Sequence, residues 1–512
     1  MKLFAYAHEG FSGSLVTIEV DLRAGIPGTD IVGLPGAAIR EARERVRASI
    51  RNSGFRYPRD RVLVNLGPAD VPKTGSAFDL GIAFSILLVS GQLFPRPVAP
   101  THALVLGELG LDGTIRPVRG VIAAVLDAKN AGIQNVVVAA RNAREASAVQ
   151  DVRVFPVRHL CELEYVCSDA AGPAPLSFLS AGRPALNLPN DRDVFADVIG
   201  QRRAKRAAFI AAVGGHHLLF AGPPGSGKTM IARRIPALLP DLGDTVASEA
   251  TRVHSLSGML PEDQGLIRRP PFRSPHHSAG PAGVIGGGRD TSPGDISLAH
   301  GGILFLDEAP EFRPGILQAL REPLEDGVIR LARAGRQYVY PARIQLVLAA
   351  NLCPCGTLGK GAGHCTCSVQ EIQRYWKRIG GALLDRIDLR VPVATYQWQL
   401  QDVLEQTSDP DETYTTKGVS EARHRLRHLI DTGEAHSEMF TEEARMTFRR
   451  VISKLRLSHR ATRSVVRVSR TIAAIESSAR VEVEHVLEAV QHRRLGESES
   501  IWQDWLSNVE IV

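Results

Sequence analysis

The sequence predicts an α/β protein built around a P-loop nucleotide-binding core, and two strings of residues predict it. Residues 222–229 read Gly-Pro-Pro-Gly-Ser-Gly-Lys-Thr, which fits the G-x-x-x-x-G-K-[ST] pattern of a phosphate-binding loop. An apolar run, 217–221, precedes this string, and a segment typical of a helix start, 230–234, follows it. Residues 303–308 read Ile-Leu-Phe-Leu-Asp-Glu, a second apolar strand that ends in two carboxylates. Strand, loop and helix in this order are the context that the phosphate-loop motif requires.

The phosphate loop predicts binding of a nucleoside triphosphate, most simply ATP, with Mg²⁺. Its backbone N–H groups and the start of the following helix favour phosphate oxygens. Lys228 is expected to reach the β- and γ-phosphates, and the Thr229 hydroxyl is expected to ligate Mg²⁺. The predicted nucleotide-binding residues are Gly222, Pro223, Pro224, Gly225, Ser226, Gly227, Lys228, Thr229 and Asp307.

The carboxylates at the end of the second strand predict hydrolysis as well as binding. Asp307 is expected to hold the metal, together with Thr229, and Glu308 to orient or deprotonate the attacking water.

Two further polar residues, Asn351 and Arg386, stand next to the ends of predicted strands. Asn351 ends the strand 344–350, where it would bond to the γ-phosphate or the lytic water, or simply form a turn. Arg386 stands between Asp385 and Asp388, ahead of the strand 389–393. Its residue type and place are compatible with a local ion pair or with an arginine finger that completes the site of a neighbouring subunit.

A cluster of four cysteines predicts a metal site. Cys353, Cys355, Cys365 and Cys367 form two C-x-C pairs around a glycine-rich segment. Four thiolates satisfy tetrahedral Zn²⁺ with no open position, which indicates a structural site rather than a catalytic one. His364 is an alternative ligand, and free thiols or a redox pair are the alternative to metal.

An arginine stripe marks the C-terminal part of the chain. Its members recur at spacings of 4, 3, 4 and 3 on a predicted helix that Ser458 is expected to cap: Arg456, Arg460, Arg463, Arg467 and Arg470. A solvated helix face is the usual explanation of such a stripe. Arginines without interleaved acids repel one another, however, which favours an anionic target such as nucleotide phosphates, a neighbouring subunit or DNA.

Composition sets the broad class. The chain has 512 residues, 44% hydrophobic and 23% charged, as in ordinary globular proteins. The net charge of +6 is compatible with a polyanionic partner such as DNA. The sequence contains no run of 18 apolar residues, so we expect no membrane span. The N-terminus lacks the apolar core of a signal peptide, and we therefore expect a cytoplasmic protein.

The pattern along the chain predicts three parts and a linker. Residues 1–168 alternate short strands and helices, including strands at 14–21, 62–66 and 135–139 and a helix at 37–52. Residues 169–190 are rich in proline, glycine, alanine and serine and are interpreted as a linker. Residues 191–398 form the nucleotide-binding core, which a helix at 197–214 introduces, and residues 399–512 are predicted to be helical.

The chain resembles the ComM/YifB family of magnesium-chelatase-like AAA+ ATPases over nearly its whole length. In the core the resemblance rests on 272–278 (Phe-Arg-Ser-Pro-His-His-Ser), 295–302, the Asp307-Glu308 strand, 351–356 and 384–388. It implies an AAA+ P-loop core with a helical lid, and the zinc site predicted from the cysteines is an insertion at 353–367 in this core.

The resemblance assigns roles to several residues. It implies that Asn351 is the sensor-1 residue and Arg386 the arginine finger that acts in trans. It makes Arg460 the sensor-2 arginine, with Arg467 as runner-up. It also implies a ring, expected to be a hexamer, that translocates on single-stranded or branched DNA during recombination of transforming DNA.

The N-terminal part resembles the C-terminal domain of Lon proteases, which has the fold of ribosomal protein S5 domain 2. The resemblance rests on 32–35, 75–80 and 107–109. Proteolysis there requires a serine paired with a lysine. An ungapped match places Ala77 at the nucleophile, next to Ser76, and Ile122 at the lysine, so we expect a protease-like fold without protease activity.

Two other functions compete with the DNA motor. A magnesium-chelatase motor subunit is disfavoured by the cysteine cluster and by the protease-like N-terminal part. An ATP-dependent Lon-like protease is disfavoured by the missing serine–lysine pair. An ATP-binding scaffold without turnover is a further alternative, which Glu308 argues against.

Overall fold

The structure is a computed structural model, and it describes residues 1–94, 101–167, 191–262, 264–288, 291–333, 335–359, 365–394, 413–431, 439–495 and 503–504. The expected linker, 169–190, and the expected boundary near residue 398 lie outside these residues. None of the described helices combines the length and the apolarity needed to span a bilayer.

The N-terminal part is built on a seven-stranded sheet in the order β3-β4-β2-β1-β5-β8-β9. Its strands are β1 (Lys2–Glu9), β2 (Ser12–Arg23), β3 (Gly28–Val32), β4 (Arg61–Gly67), β5 (His102–Leu106), β8 (Asn135–Ala139) and β9 (Arg153–Val157), with β6 (Glu108–Leu109) and β7 (Ile115–Arg116) as a separate hairpin. Its helices are α1 (Ala37–Asn52), α2 (Asp79–Val89), α3 (Val121–Asn130), α4 (Ala143–Ser147) and α5 (Leu163–Cys167).

This sheet is covered on both faces because alternate residues of its strands point to opposite sides. In β1, Leu3 and Ala5 join one core with α1 and α2, while Tyr6 joins the other core with α3 and α4. The predicted helix 37–52 and strand 135–139 match α1 and β8, and the other two predicted strands lie inside β2 and β4.

The nucleotide-binding core is a five-stranded parallel sheet in the order β11-β14-β17-β10-β18. Its strands are β10 (Leu218–Ala221), β11 (Phe272–Arg273), β14 (Ile303–Leu306), β17 (Gln345–Ala350) and β18 (Leu389–Pro392); β12 (Gly286–Gly287) with β13 (Ser292–Pro293) and β15 (Val328–Arg333) with β16 (Arg336–Pro341) form two hairpins. Its helices are α6 (Arg202–Gly214), α7 (Lys228–Ala232), α8 (Ile235–Leu238), α9 (Asp244–Ser257), α10 (Pro281–Val284), α11 (Asp295–Leu298), α12 (Pro314–Ala319), α13 (Arg321–Asp326), α14 (Val369–Lys377) and α15 (Gly381–Leu384).

Helix α6 is shorter than the sequence predicts, since it begins at Arg202 and not at Asp197. Gln201 takes a left-handed conformation with a φ of 57°, which stops the helix from extending towards the N-terminus. The Gln201 side chain donates hydrogen bonds to the carbonyl oxygens of Ser226, at 3.1 Å, and Ala394, at 2.7 Å. The break in the helix therefore places an amide beside the phosphate loop.

The C-terminal part is helical, as the sequence predicts: α16 (Thr416–Asp431), α17 (Glu442–Leu455), α18 (His459–Ile475) and α19 (Val483–Arg494). Val465, Val468 and Ile472 of α18 are buried in one core with α6 and with Leu218 and Phe220 of β10. The lid helices therefore share a hydrophobic core with the sheet that carries the phosphate loop.

A buried carboxylate, Asp388, ties α18 to the sheet. It accepts hydrogen bonds from Ser464 Oγ at 2.6 Å and from Arg467 Nη2 at 2.7 Å, and His216 Nδ1 lies 3.5 Å away. Burial favours the neutral acid, but the hydrogen bond and charge of His216, with the charge of Arg467, outweigh it and hold the pKa of Asp388 below its usual range. Asp388 is therefore ionised at neutral pH.

The N-terminal part docks on helix α9 of the nucleotide-binding core. The Gly120 N–H donates a 2.8 Å hydrogen bond to Ser255 Oγ, and this hydroxyl donates to the buried carboxylate of Glu145. The Arg252 guanidinium lies 4.4 Å from the centre of the Phe11 ring. Burial raises the pKa of Glu145, although hydrogen bonds from Ser255 and from the Ile122 N–H oppose this effect.

Replacing Asp388 should loosen the lid. We expect Asp388→Ala to lower the free energy of unfolding by about 3 kcal/mol, because it leaves buried His216 and the Arg467 contact without their carboxylate. Urea unfolding followed by circular dichroism at pH 7 measures the change. Asp326→Ala, which removes an exposed pair with Arg330, is the matched control and should cost under about 1 kcal/mol. Equal effects of the two substitutions would contradict this account of the lid.

Candidate active site

The candidate active site lies where three neighbouring parallel strands end. In the order β14, β17, β10, the strands lead into Asp307 and Glu308, into Asn351, and into the phosphate loop. The carboxyl ends of parallel strands meet at one edge of a sheet, which is where ligands bind in open α/β folds. The structure therefore brings together the residues that the sequence predicts to bind and hydrolyse a nucleotide.

The phosphate loop, 222–229, turns from β10 into α7 through left-handed glycines. Gly227 has a φ of 89°, a conformation that a residue with a side chain rarely takes, and it immediately precedes the helix. The Ser226 hydroxyl is buried and makes no hydrogen bond with the part of the chain that the structure describes. An unpaired hydroxyl in a phosphate loop fits a phosphate or metal-bound ligand.

Lys228 lies inside the loop with its ammonium group enclosed. Its Nζ donates to the carbonyl oxygens of Gly222, at 2.8 Å, and Pro223, at 2.7 Å, and lies 3.3 Å from Asn351 Oδ1. Burial lowers the pKa of Lys228 to about 8, while the charges of Asp307 and Glu308 act in the opposite direction. Phosphate oxygens next to this nitrogen would favour its protonated form.

Thr229 and Asp307 contact each other directly. The Thr229 hydroxyl donates a 2.8 Å hydrogen bond to Asp307 Oδ2. A hydroxyl and a carboxylate oxygen beside a phosphate loop are the ligand types that Mg²⁺ takes in P-loop enzymes. These two residues therefore fit a Mg²⁺ ion bound with a triphosphate.

Glu308 has a strained backbone and a histidine partner. Its φ of 51° and ψ of 46° place a non-glycine residue in the left-handed region. Its Oε2 lies 3.3 Å from Nδ1 of His277, which follows the edge strand β11. Both side chains are partly exposed, so the carboxylate is accessible to water and to substrate.

Arg386 is paired within its own subunit. Its Nη2 donates to Glu325 Oε1 and its Nη1 donates to the carbonyl oxygen of Ala382 at 2.5 Å, while the side chain is almost buried. Arg460 Nη2 donates to the same Glu325 oxygen at 2.5 Å. The structure thus places the two arginines side by side on one carboxylate, and the local ion pair is the arrangement seen in the single chain.

The other arginines of the C-terminal stripe have separate environments. Arg456 ends α17 in a left-handed conformation, just ahead of the Ser458 cap of α18. Arg467 pairs with Asp388, Arg463 is exposed, and the Arg470 side chain is buried. Acids from the nucleotide-binding core therefore neutralise part of the stripe, which the sequence alone presents as unpaired.

The four cysteine thiols converge, as the sequence predicts. Sγ of Cys353 lies 3.3 Å from that of Cys355 and 3.6 Å from that of Cys365, and all four sulfurs lie within 4.8 Å of one another. The thiols are free of disulfides. Zn–S bonds of about 2.3 Å in a tetrahedron place the sulfurs about 3.8 Å apart, which these separations match.

One thiol of the cluster favours its thiolate form. A hydrogen bond from the Thr357 hydroxyl, 2.9 Å from the sulfur, lowers the pKa of Cys355 to about 5. A thiolate is the form that binds Zn²⁺. The alternative ligand His364 lies outside the described residues.

The protease-like residues of the N-terminal part do not form a serine–lysine pair. The Ser76 hydroxyl donates to Glu108 Oε2, and Ile122 is buried in α3. The ammonium group of Lys73, the closest lysine in sequence to Ser76, donates to the carbonyl oxygen of Pro68. Ser76 therefore has a carboxylate partner and not an amine base.

Sequence reasoning missed four residues that shape the site: Gln201, His277, Glu325 and Asp388. Asp388 and the pair His276-His277 stand inside strings that the sequence singles out, but no local pattern shows their partners. Glu325 and Gln201 belong to no motif. A single acid or amide in a helical segment is common and gives no signal in the sequence. Their roles depend on contacts between segments far apart in the chain.

Three family models match the chain. Residues 194–400 match the model described as magnesium chelatase, subunit ChlI, and residues 419–493 match its C-terminal domain. Residues 18–142 match a model described as subunit ChlI of Mg-chelatase. The N-terminal part is therefore no argument against a chelatase-type function, which corrects the reasoning from the sequence.

Relatives support the same assignment. Competence protein ComM of Haemophilus influenzae is 38% identical over 504 residues, 96% of this chain and 97% of the relative. The uncharacterised protein YifB of Escherichia coli is 39% identical over 505 residues, 95% of each chain. A Lon protease of Salinispora arenicola is 28% identical over 187 residues, 35% of this chain and 23% of the protease.

The comparisons and the fold agree. Parallel strands with a phosphate loop confirm the α/β P-loop ATPase fold that the sequence predicts. The chain matches ComM and YifB over nearly the full length of each protein. It therefore belongs to the ComM/YifB family of magnesium-chelatase-like AAA+ ATPases.

Proposed function

We propose that the protein is an ATP-driven ring motor that acts on DNA, as a branch-migration or helicase-type ATPase in recombination of transforming DNA. The observation that carries the ATPase part is the meeting of Lys228, Asn351, Thr229 and Asp307 at the ends of β10, β14 and β17. The DNA part is supported by the relative named as a competence protein and by the net charge of +6.

In this proposal each side chain has a defined role in hydrolysis. The loop N–H groups and Lys228 bind the phosphates, and Asn351, within reach of Lys228 Nζ, positions the γ-phosphate or the water. Glu308 orients and deprotonates the attacking water. Thr229 and Asp307 bind Mg²⁺, which neutralises charge on the phosphate oxygens when it is present.

We propose that a neighbouring subunit completes the site. Arg386 is the guanidinium that acts in trans, and Arg460 is the sensor-2 arginine beside it. In the single chain both bind Glu325, so a ring requires exchange of this carboxylate for the phosphates of the next subunit. Arg467, which pairs with Asp388, is the alternative for the sensor role. A hexamer is the ring size that the family resemblance favours.

We also propose that the four cysteines bind a structural Zn²⁺ ion. Their sulfur separations fit a tetrahedral site with no position left for a substrate.

A chelatase-type motor is the second candidate, because the family models carry that description. It predicts ATP-dependent insertion of Mg²⁺ into a porphyrin when partner subunits are added. The DNA motor predicts no such insertion.

DNA should stimulate ATP turnover. We expect single-stranded, forked or four-way DNA to raise the rate of phosphate release at low salt. Because Lys and Arg contacts to phosphates release counterions, DNA binding should weaken steeply between about 50 and 200 mM salt. Phosphate-release assays and fluorescence anisotropy measure the two effects. Turnover that no DNA structure changes, with no DNA binding at low salt, would contradict the DNA part.

Glu308→Gln should separate binding from hydrolysis. We expect kcat to fall by about 100-fold or more, since the amide is a poor base, while ATP affinity stays within a few-fold of the wild type. Single-turnover hydrolysis and binding of a fluorescent ATP analogue measure the split. Glu443→Gln, an exposed substitution on α17, is the control and should leave both unchanged. Normal turnover in Glu308→Gln would remove Glu308 from the mechanism.

Arg386→Ala should abolish ATP turnover, and mixing this variant with Lys228→Ala should restore it. We expect a loss of about 1,000-fold with ATP binding retained, because the transition state loses a guanidinium. A mixture with Lys228→Ala, which keeps Arg386 but cannot bind phosphate, should regain activity, since some sites combine an intact loop with an intact Arg386.

A control variant and two possible results decide whether Arg386 acts on the nucleotide of a neighbouring subunit. Arg378→Ala, which removes an exposed pair with Glu311, is the control and should keep normal turnover. If mixing restores no activity, or if a strictly monomeric protein turns over ATP at the full rate, Arg386 does not act in trans.

A further inference from the structure

The cysteine cluster is built directly onto the end of the strand that carries Asn351. Strand β17 ends at Ala350, and only Leu352 separates Asn351 from Cys353. The Cys353 side chain is buried among the residues of the sheet core, and its sulfur accepts a hydrogen bond from the Leu358 N–H at 3.4 Å. The first thiol is thus part of the same buried segment as the candidate sensor residue.

The cluster also contacts the phosphate loop. A Cβ atom placed on Gly356 would lie 3.3 Å from Cγ of Pro224, so the turn that follows Cys355 packs against the loop. Gly356 leaves room for this approach because it has no side chain. The metal site and the phosphate site are therefore neighbours, with Asn351 between them in the chain.

The second C-x-C pair leads directly into helix α14. Cys367 precedes Ser368, the N-cap of the helix, whose hydroxyl accepts from the Glu371 N–H at 3.3 Å. The Glu371 carboxylate accepts in return from the Ser368 N–H at 2.8 Å. This capping box fixes the start of α14 relative to Cys367.

Helix α14 returns to the strand end and contacts the residues around Asn351. Trp376 Nε1 donates to the carbonyl oxygen of Leu352, the residue that follows Asn351, at 3.1 Å. The Trp376 side chain is buried. The described residues between Asn351 and Trp376 thus meet at two places, at the four sulfurs and at the hydrogen bond between Trp376 and Leu352.

We propose that Zn²⁺ bound by the four cysteines positions Asn351 for hydrolysis, through Cys353 on one side and through α14 on the other. The inference rests on the proposed ATPase function and assigns the metal a role in turnover. The alternative is a local zinc knuckle that stabilises only its own loop. Cys355 is a positioning residue in this scheme, because it acts on Asn351 through the metal.

The proposal separates turnover from ATP binding. Lys228 and the loop backbone bind the phosphates without the cysteines, so ATP affinity should survive loss of the metal. Asn351 lies 3.3 Å from Lys228 Nζ and depends on the metal-held strand end for its place. Loss of the metal should therefore lower kcat and leave ATP affinity nearly unchanged.

Cys355→Ser in the full-length chain tests this prediction, because the exposed Cys355 side chain can be changed with little effect on the core. We expect bound zinc, measured by mass spectrometry of the purified protein, to fall from about one ion per chain to near zero. We expect kcat to fall by about tenfold or more, with the ATP dissociation constant within about threefold of the wild type. Cys161→Ser, an exposed cysteine outside the cluster, should change neither.

Two further variants distinguish positioning from loss of folding. Cys355→His offers Zn²⁺ a nitrogen in place of the sulfur and should restore both zinc and turnover. Asn351→Ala should reduce kcat to a similar extent. The double variant Cys355→Ser/Asn351→Ala should be no slower than Asn351→Ala alone, because both changes remove the same contribution, that of the Asn351 side chain to hydrolysis.

Several results would overturn the inference. These are a wild-type protein without zinc, a zinc-free Cys355→Ser with normal kcat, or a double variant whose losses multiply.

If the wild type binds zinc but does not hydrolyse ATP, the proposed function fails. The positioning claim is then decided by Trp376 fluorescence, isolated by comparison with Trp376→Phe. A change on adding ATP that persists in Cys355→Ser would refute it, and a change that disappears would support it.

Discussion

The register of three parallel strands brings the predicted nucleotide-binding residues to one edge of the sheet. β10 pairs with β17 and β17 with β14, so the phosphate loop, Asn351 and the Asp307-Glu308 pair emerge at one edge of the sheet. Each strand is buried along its whole length, which prevents it from sliding without exposing apolar side chains. A triphosphate needs a cation, amide donors and a metal-binding carboxylate within a few ångströms, and this edge provides all three.

Two carboxylates, Glu325 and Asp388, hold the arginines of the C-terminal part and of the Arg386 segment. Glu325 binds Arg386 and Arg460 with one oxygen atom, and Asp388 joins Arg467 to His216 and Ser464. These acids occupy the arginines of a single chain, so the positive stripe of α18 is less available to an anion than its sequence indicates. A phosphate that binds these arginines has to displace a carboxylate.

Local patterns predicted much of the fold. Helix α1 and strand β8 have the predicted bounds, because hydrophobic periodicity and turn residues lie within each segment. The phosphate loop, the strand ending in Asp307 and the convergence of the four cysteines were also predictable, since short spacings encode them.

The rest depends on contacts between distant segments. The hydrogen bond between Arg460 and Glu325 joins residues 135 positions apart, and that between Arg467 and Asp388 joins residues 79 apart. The start of α6 was wrong by five residues because Gln201 turns to contact the phosphate loop, which no propensity encodes. The roles of Asn351, Arg386 and Arg460 remain predictions of the sequence that the geometry accommodates.

The seam between the N-terminal part and helix α9 restricts how the molecule moves. Glu145 lies in that seam, where Ser255 of α9 and the Ile122 N–H satisfy its carboxylate. Separating the two parts would remove the Ser255 hydrogen bond from this buried carboxylate and would also break the contact between Arg252 and Phe11. Any change in the position of the N-terminal part relative to α9 therefore has to break these contacts together.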